Sequence, residues 1–456
     1  MNDLTQGSLA KNVLKMSSFM LVSMVFQTLY FLVDLYFVGR LGRDAVAAVS
    51  VSGNLTFLVL AATQTLAVGT TSLIAYAVGR KDHQQARLVF NQSQVLSLLA
   101  GALFLIVMMA LRTSYARDLS ASPRTGELAA DYLGWFIPAM ALQFAMVAST
   151  AALRGTGNFK PGMVIQSATI LVNIALAPVL IFGWGTGHPL GVAGAALASF
   201  VAVAGGVVAL AVYVWRVEGY LRFDLGDCKP RLALWGRMLK IGLPAGAEFG
   251  LMGVYMMVVY TLSRPFGAAA QAGFGIGLRV IQAGFMPVVA MGFAVSPVAG
   301  QNFGARLASR VRETFRVGAL MATGFMVVLT LLCQLVPEQM IQFFSRDAQV
   351  LAVGGEYLRI TSVAFIASGI VFVSSSMFQA LGNTIPPLLS SVARILMVAI
   401  PAVLLSTVPG FQLRWIWYLA ITGTTVQVIA NVVLLRREFR RKLDFGETPL
   451  VSLQPV

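Results

Sequence analysis

GNFKP at residues 157–161 returns 225 residues later as GNTIP at 382–386, and the same shift aligns the whole chain without a gap. Lys15 then meets Lys240, Gly42 meets Gly267, Gly79 meets Gly304 and Arg87 meets Arg312; Tyr132 and Leu133 meet Tyr357 and Leu358. Coincidences among Val, Leu and Ala carry little weight in so apolar a chain. These matches fall on Gly, Asn, Pro and charged residues at the ends of apolar runs, so the chain is an internal duplication.

The runs are long enough, at about 20 residues, to cross a bilayer as helices. Six lie near 13–38, 46–77, 92–112, 130–153, 162–183 and 190–215, and six near 238–262, 271–302, 315–336, 355–379, 387–408 and 413–435. The second run of each half is overlong or kinked. An even number of spans per half brings both copies into the membrane from the same side, so the halves are parallel repeats about an axis along the membrane normal. The expected fold is an all-α integral membrane protein with twelve transmembrane helices in two six-helix bundles. Residues 1–216 form the first bundle, 217–236 a cytoplasmic linker, 237–442 the second bundle and 443–456 a cytoplasmic tail.

Composition agrees. Of 456 residues, 57% are hydrophobic and 11% charged, where a soluble domain carries roughly a quarter charged residues. A mean hydropathy of +0.79 exceeds what one buried core explains, because cores stop growing beyond ~250–300 residues. An ordinary soluble enzyme is excluded.

The 33 Lys and Arg against 18 Asp and Glu give a net charge of +15. Their placement argues for topology rather than nucleic-acid binding. Nine flank one side of the spans: Arg40, Arg43, Arg112, Arg117, Arg124, Arg264, Arg346, Arg359 and Arg414. Apart from Arg279 and Arg394, the other 22 fall on the opposite side, with both termini and the linker. By the positive-inside rule both termini are cytoplasmic, in a multi-pass protein of the plasma (inner) membrane. The N-terminus has no short apolar core followed by a small-residue cleavage site, so the first run is expected to stay as a helix. Cys228 and Cys333 are the only cysteines, too few for a disulfide framework or a cysteine-rich metal site.

Ionisable groups inside the spans need a reason, since one at the bilayer centre costs ~2.5–3.5 kcal/mol on insertion scales. Asp34, in FLVDLYFVGRLG near the outer end of the first helix, is the strongest candidate; the bland alternative is a helix-end acid paired with Arg40. A carboxylate that loses water and regains it can take up and release a proton as access alternates. Glu248 follows Pro244 by one turn near the start of the seventh helix, where it serves either a cavity or backbone groups that the proline frees. Arg279 and Arg394 read as scaffold that snorkels or pairs with carbonyls, or as cavity cations. Asn173 in LVNIALAP is either a packing amide or a cavity ligand, and Tyr36 and Ser199 complete the secondary candidates.

No fingerprint for ATP, a dinucleotide or a metalloprotease is present. GFGIG at 273–277 lacks a following GK[ST] and reads as close helix packing. His83 and His188 lie in loops with no carboxylate or Cys at ligand spacing and are expected to be solvated. The expectation is therefore no enzyme, no cofactor and no metal site, with energy drawn from an ion gradient, a partner or the substrate's own gradient.

With these residues in view, the sequence resembles the multidrug and toxic compound extrusion (MATE) family over nearly its whole length. The landmarks are VDLYFVGRLG (33–42), RGTGNFKP (154–161), NIALAPVLIFG (173–183), GVAGAALAS (191–199), GLP (242–244), GQNFGA (300–305) and QALGNTIPP (379–387). Their order and spacing together are specific. The resemblance implies a proton- or sodium-coupled antiporter that expels amphipathic, often cationic compounds by alternating access between two bundles. In the DinF-like branch the acid of the first helix, here Asp34, is the coupling residue, with a fifth-helix Asn, here Asn173, nearby. Where relatives carry a second Asp four residues later, this chain has Ala177. Sodium wants several oxygen ligands and a proton only one carboxylate, which favours a proton as the coupling ion. The acids of the NorM-like branch have Met252 and Ser368 in their places, so that site is not carried over. The first helix also lacks a proline found in many relatives, since the repeat sets Phe19 opposite Pro244. The expected partners are small amphipathic substrates and membrane lipid, with no nucleic acid, for a monomer. A flippase for a lipid-linked sugar or another lipid is the alternative; it would want a strongly basic cavity for pyrophosphate.

Overall fold

The computed structural model describes residues 3–120, 122–185 and 187–445. Among them there are α-helices, two short 3-10 turns and no strand. Eleven helices are long and apolar enough to cross a membrane, or twelve when one bent pair counts as a single span. The chain divides into two compact units, one built from Lys15–Val254 and the other from Asp3–Leu14 with the chain from Tyr255 onward.

The first unit takes most of α1 (Leu9–Gly39), then α2 (Arg43–Val51), α3 (Gly53–Gly79), α4 (His83–Leu119), α5 (Pro123–Gly155), α6 (Phe159–Phe182), α7 (Gly191–Arg216) and the greater part of α8 (Leu232–Ser263). α5 is its central helix and packs against α3, α4 and α7, burying Leu133, Ile137 and Leu153 completely. Where α8 runs along α3, glycines replace side chains: a Cβ on Gly242 would meet the Thr65 carbonyl, and one on Gly246 the Ala61 carbonyl and Thr65. Backbones approach this closely only where side chains are missing.

The second unit takes the end of α8, then α9 (Ala268–Gly304), α10 (Ala308–Leu335), α11 (Pro337–Gln342), α12 (Ala348–Ser362), α13 (Phe365–Ala380), α14 (Ile385–Ser406) and α15 (Arg414–Lys442). α9 packs against α10, α12 and α13, and α14 against α15. A Cβ on Gly273 would come within 2.9 Å of the Val350 carbonyl oxygen, so GFGIG is a helix-packing seam, as expected.

The duplication is visible in the backbone. The stretch Arg43–Gly79, 37 residues, and the 37-residue α9 share both ends under the 225-residue shift. The GN pair ends α5 and α13 in the same way. Gly157 and Gly382 have φ of 79° and 67°, and Asn158 N donates to Leu153 O as Asn383 N donates to Phe378 O. This is the left-handed Schellman stop, which glycine adopts without steric cost. Asn158 Nδ2 then donates to Tyr213 Oη (3.0 Å), and Asn383 Nδ2 to Glu438 Oε1 (3.0 Å), positions that again differ by 225. Lys81 and Arg306, also repeat partners, carry the left-handed turn after α3 and α9 at φ 61° and 59°.

Two boundaries differ from the sequence reading. α8 starts at Leu232, inside the expected linker, so Glu248 lies mid-helix rather than one turn in. The tenth span is broken, with α12 and α13 bent by 58° at Val363–Ala364, where no proline announces a break.

The polar segment before α8 is fastened to the first unit. Gln92 of α4, fully buried, donates to the carbonyls of Asp227 and Lys229, the latter at 2.7 Å, and accepts from Arg231 N at 2.9 Å. Asn91 grips the same segment at Arg222 O and Asp224 N. Gln92→Leu leaves those backbone groups unpaired, at roughly 1–3 kcal/mol for each group that stays buried. The expected result is a lower melting temperature and faster proteolysis within residues 222–231. Unchanged proteolysis there would show that Asn91 and the ion pairs to Arg87 hold the segment without Gln92.

Candidate functional site

Asp34 lies five residues before the end of α1 and is half-buried. Tyr30 sits one turn earlier on the same face, the i, i+4 relation of a helix. Its hydroxyl meets Ser199 Oγ of α7 at 3.0 Å. Asn173 of α6, buried, donates from Nδ2 to the same Oγ at 3.0 Å. Ser199 in turn donates to Ala195 O at 3.2 Å. A serine hydroxyl has one proton and two acceptor positions, so with its proton on Ala195 O it accepts from both Asn173 and Tyr30. Tyr30 is thereby the donor in that pair, and its own oxygen keeps acceptor capacity.

Tyr132 of α5 is buried and close enough to Asp34 and Tyr30 for electrostatic coupling, with its hydroxyl bonded to Ser52 at the α2–α3 break. Among the described residues no ion pair reaches Asp34. Arg40, the partner of the bland reading, instead holds its guanidinium 5.2 Å from the centre of the Phe182 ring.

The sequence-derived candidates therefore separate. Asp34, Asn173 and Ser199 are brought together in the first unit through Tyr30. Ala177 is buried one turn beyond Asn173. Tyr36 is 63% exposed, with its ring against Phe37, outside this chain of hydrogen bonds. Glu248 is half-buried on α8 beside the glycine seam, Arg279 is exposed on α9, and Arg394 is half-buried in the second unit. The sequence reading did not single out Tyr30 or give Tyr132 a place in the site. The available signal was repetition: Tyr30 recurs as Tyr255 and Tyr132 as Tyr357. His83 is exposed, with its ring stacked on Tyr220 at 3.7 Å between centroids. Among the described residues no group of three or more His, Cys, Asp or Glu is placed to hold a metal ion.

A duplicated bundle of apolar spans with a half-buried carboxylate beside a chain of hydrogen-bonded polar groups is the build of a multi-pass membrane protein that moves a solute. The MatE family model matches residues 20–179 and again 244–404, one match per repeat. The chain belongs to the MatE family and is a transporter, not an enzyme. It is 29% identical over 406 residues, 87% of each chain, to the probable multidrug resistance protein YoeA of Bacillus subtilis (strain 168). To the multidrug export protein MepA of Staphylococcus haemolyticus (strain JCSC1435) it is 24% identical over 450 residues, 98% of each chain. Among solved structures, an outward-facing multidrug resistance MATE family transporter of the MOP superfamily superimposes with a TM-score of 0.88 at 24% identity. That superposition covers 97% of this chain and 98% of that one and establishes the shared fold.

Proposed function

We propose that this protein is a proton-coupled antiporter of the plasma membrane that exports amphipathic, often cationic, small molecules, with both termini and the linker in the cytoplasm. The observation that carries it is Asp34, an acid inside a span, joined to no cation among the described residues and set beside the Tyr30–Ser199–Asn173 chain. Protonated Asp34 would donate to the open acceptor side of Tyr30, and ionised Asp34 would face water or a cationic substrate. Exposure of this carboxyl to one side and then the other exchanges a proton for substrate. When one proton is exchanged for one monovalent cation no net charge crosses, so the pH difference is the drive, and each unit supports an about tenfold concentration ratio. The export named for MepA supports the direction of transport, and the multidrug resistance named for YoeA fits it. Ala177, a buried methyl where a second carboxylate would complete an oxygen cage, supports a proton over sodium.

Drug-driven acidification or alkalinisation of proteoliposomes tests the reading: ethidium export must move protons the opposite way. In the same assay Ser199→Ala removes the hydroxyl that holds Tyr30 and Asn173. A hydrogen bond is worth about 1 kcal/mol net, so proton-coupled ethidium efflux should fall about fivefold without vanishing, whereas an unchanged rate removes the chain from the mechanism.

A further inference from the structure

The 225-residue shift carries the Asp34 site onto the second unit, and the charge there is reversed. Tyr30 falls on Tyr255, Tyr132 on Tyr357 and Ser199 on Thr424, while Asp34 falls on Val259 and Asn173 on Val398. The acid and the amide are gone and the tyrosines remain. In their company stands Arg394, the tenth residue of the 22-residue α14, with its guanidinium 5.4 Å from the centre of the Tyr255 ring.

Arg394 is built into this unit. A Cβ on Gly423 of α15 would lie 3.2 Å from Arg394 Cγ and 3.5 Å from its carbonyl oxygen, so the missing side chain at Gly423 makes room for the arginine stem across α15. The next polar pair along the two helices is Gln427 Nε2 donating to Ser391 Oγ at 2.9 Å. Arg394 is half-buried, yet its Nε is buried and has no hydrogen-bond partner. Among the described residues no carboxylate pairs with it. A snorkelling arginine would send its head toward the membrane surface, and one that pins helices would spend its donors on carbonyls. Neither reading explains an inward stem, an aromatic face and an orphan donor together.

We propose that Arg394 and Tyr255 form an anion-recognition site in the second unit that takes the carboxylate of an exported amphiphile. Guanidinium is the side chain best matched to a carboxylate, and the aromatic face holds it in place without neutralising it. This deepens the export reading and rests on it: the substrates would include zwitterions that carry a carboxylate as well as plain cations. The acid of one repeat and the base of the other then serve opposite ends of chemistry within one duplicated design.

Rhodamine 110, which carries a free carboxylate, and its methyl ester rhodamine 123 test this directly. Binding to the detergent-purified full chain is read by fluorescence anisotropy, and efflux from proteoliposomes of phosphatidylcholine alone, which holds no anionic headgroup. Arg394→Gln should weaken rhodamine 110 binding about tenfold or more and leave rhodamine 123 within about twofold, with Arg394→Lys between the wild type and Gln for rhodamine 110. Equal weakening of both dyes would show a scaffold role and overturn the proposal, as would no change in either. Should the Gln variant not fold, Arg394→Lys decides alone: a selective loss for the carboxylate dye supports the site, and a uniform or absent effect overturns it. Carboxylate-selective binding that depends on Arg394, without gradient-driven efflux of either dye, would overturn the export reading and leave the anion site standing. Wild type that binds the ester and not the acid overturns the anion site and leaves export intact.

Discussion

Asp34→Asn is expected to lower proton-driven ethidium efflux by about a hundredfold or more, to the rate of passive leak, while the protein inserts and stays helical. The amide has nearly the size of the acid and, like the protonated acid, keeps a donor for the oxygen of the neighbouring hydroxyl, so packing changes little. What it loses is the capacity to carry a proton and to become an anion. An intramembrane carboxylate that is joined to no cation is a cost to folding rather than a gain, so the neutral variant should melt at the same temperature as the wild type or slightly above it. That combination separates a coupling residue from a structural one. If Asp34 were the helix-end partner of a nearby arginine, its replacement would lower stability and leave transport in proportion to the surviving protein. Substrate binding offers a further check, since an Asn variant that still binds ethidium with unaltered affinity places the loss in the proton step. Efflux in Asp34→Asn at the wild-type rate would remove Asp34 from the mechanism.

Gly242→Val carries the second large effect, and it is an effect on the fold. A Cβ at Gly242 would be driven into the carbonyl of Thr65, and Gly246 repeats the close approach one turn along at Ala61 and Thr65. Neither carbonyl can withdraw, because both belong to the helical ladder of α3. The helices must separate by the width of a side chain over at least two turns, and apolar contacts such as Val68 with Ile241 and Ala245 open with them. Overpacking costs typically about 1–3 kcal/mol even where side chains can shift, so a backbone collision is expected to exceed that range. The measurement is the yield of monodisperse protein in detergent and its melting temperature. Gly250→Val on the same helix is the control, because a Cβ there meets nothing within 4 Å and should leave both unchanged. Equal behaviour of the two variants would mean that the α3–α8 seam does not hold the first unit together.

Much of this architecture was legible in sequence because its signals are local and repeated. Long apolar runs can only be helices in lipid, and the GN stop announces a helix end through the one residue that tolerates the left-handed turn. A second copy at a fixed shift turns each such signal into a pair. The break between α12 and α13 escaped because it has no proline or glycine at Val363–Ala364; the repeat even places Pro138 at the equivalent position of α5, which runs through without interruption. The start of α8 escaped because its first residues, LALWGRMLK, are too polar on balance to read as membrane-spanning, yet they pack against α3 and α4. Asp34 and Asn173 could be picked out as polar residues in apolar surroundings. Tyr30 left only its repeat partner Tyr255 as a signal, since a tyrosine in a span usually marks the membrane interface, and its hydroxyl on Ser199 is a contact between two distant helices. Arg394 was visible as an intramembrane charge, but the bulk of its meaning lies in Gly423 and Tyr255, on two other helices.

The most direct measurement is substrate efflux from wild-type proteoliposomes under an imposed pH gradient with no sodium, set against an imposed sodium gradient at uniform pH. The account predicts ethidium export with the pH gradient, counterflow of protons, and no export with sodium alone. Export that needs sodium and ignores the pH gradient would contradict it.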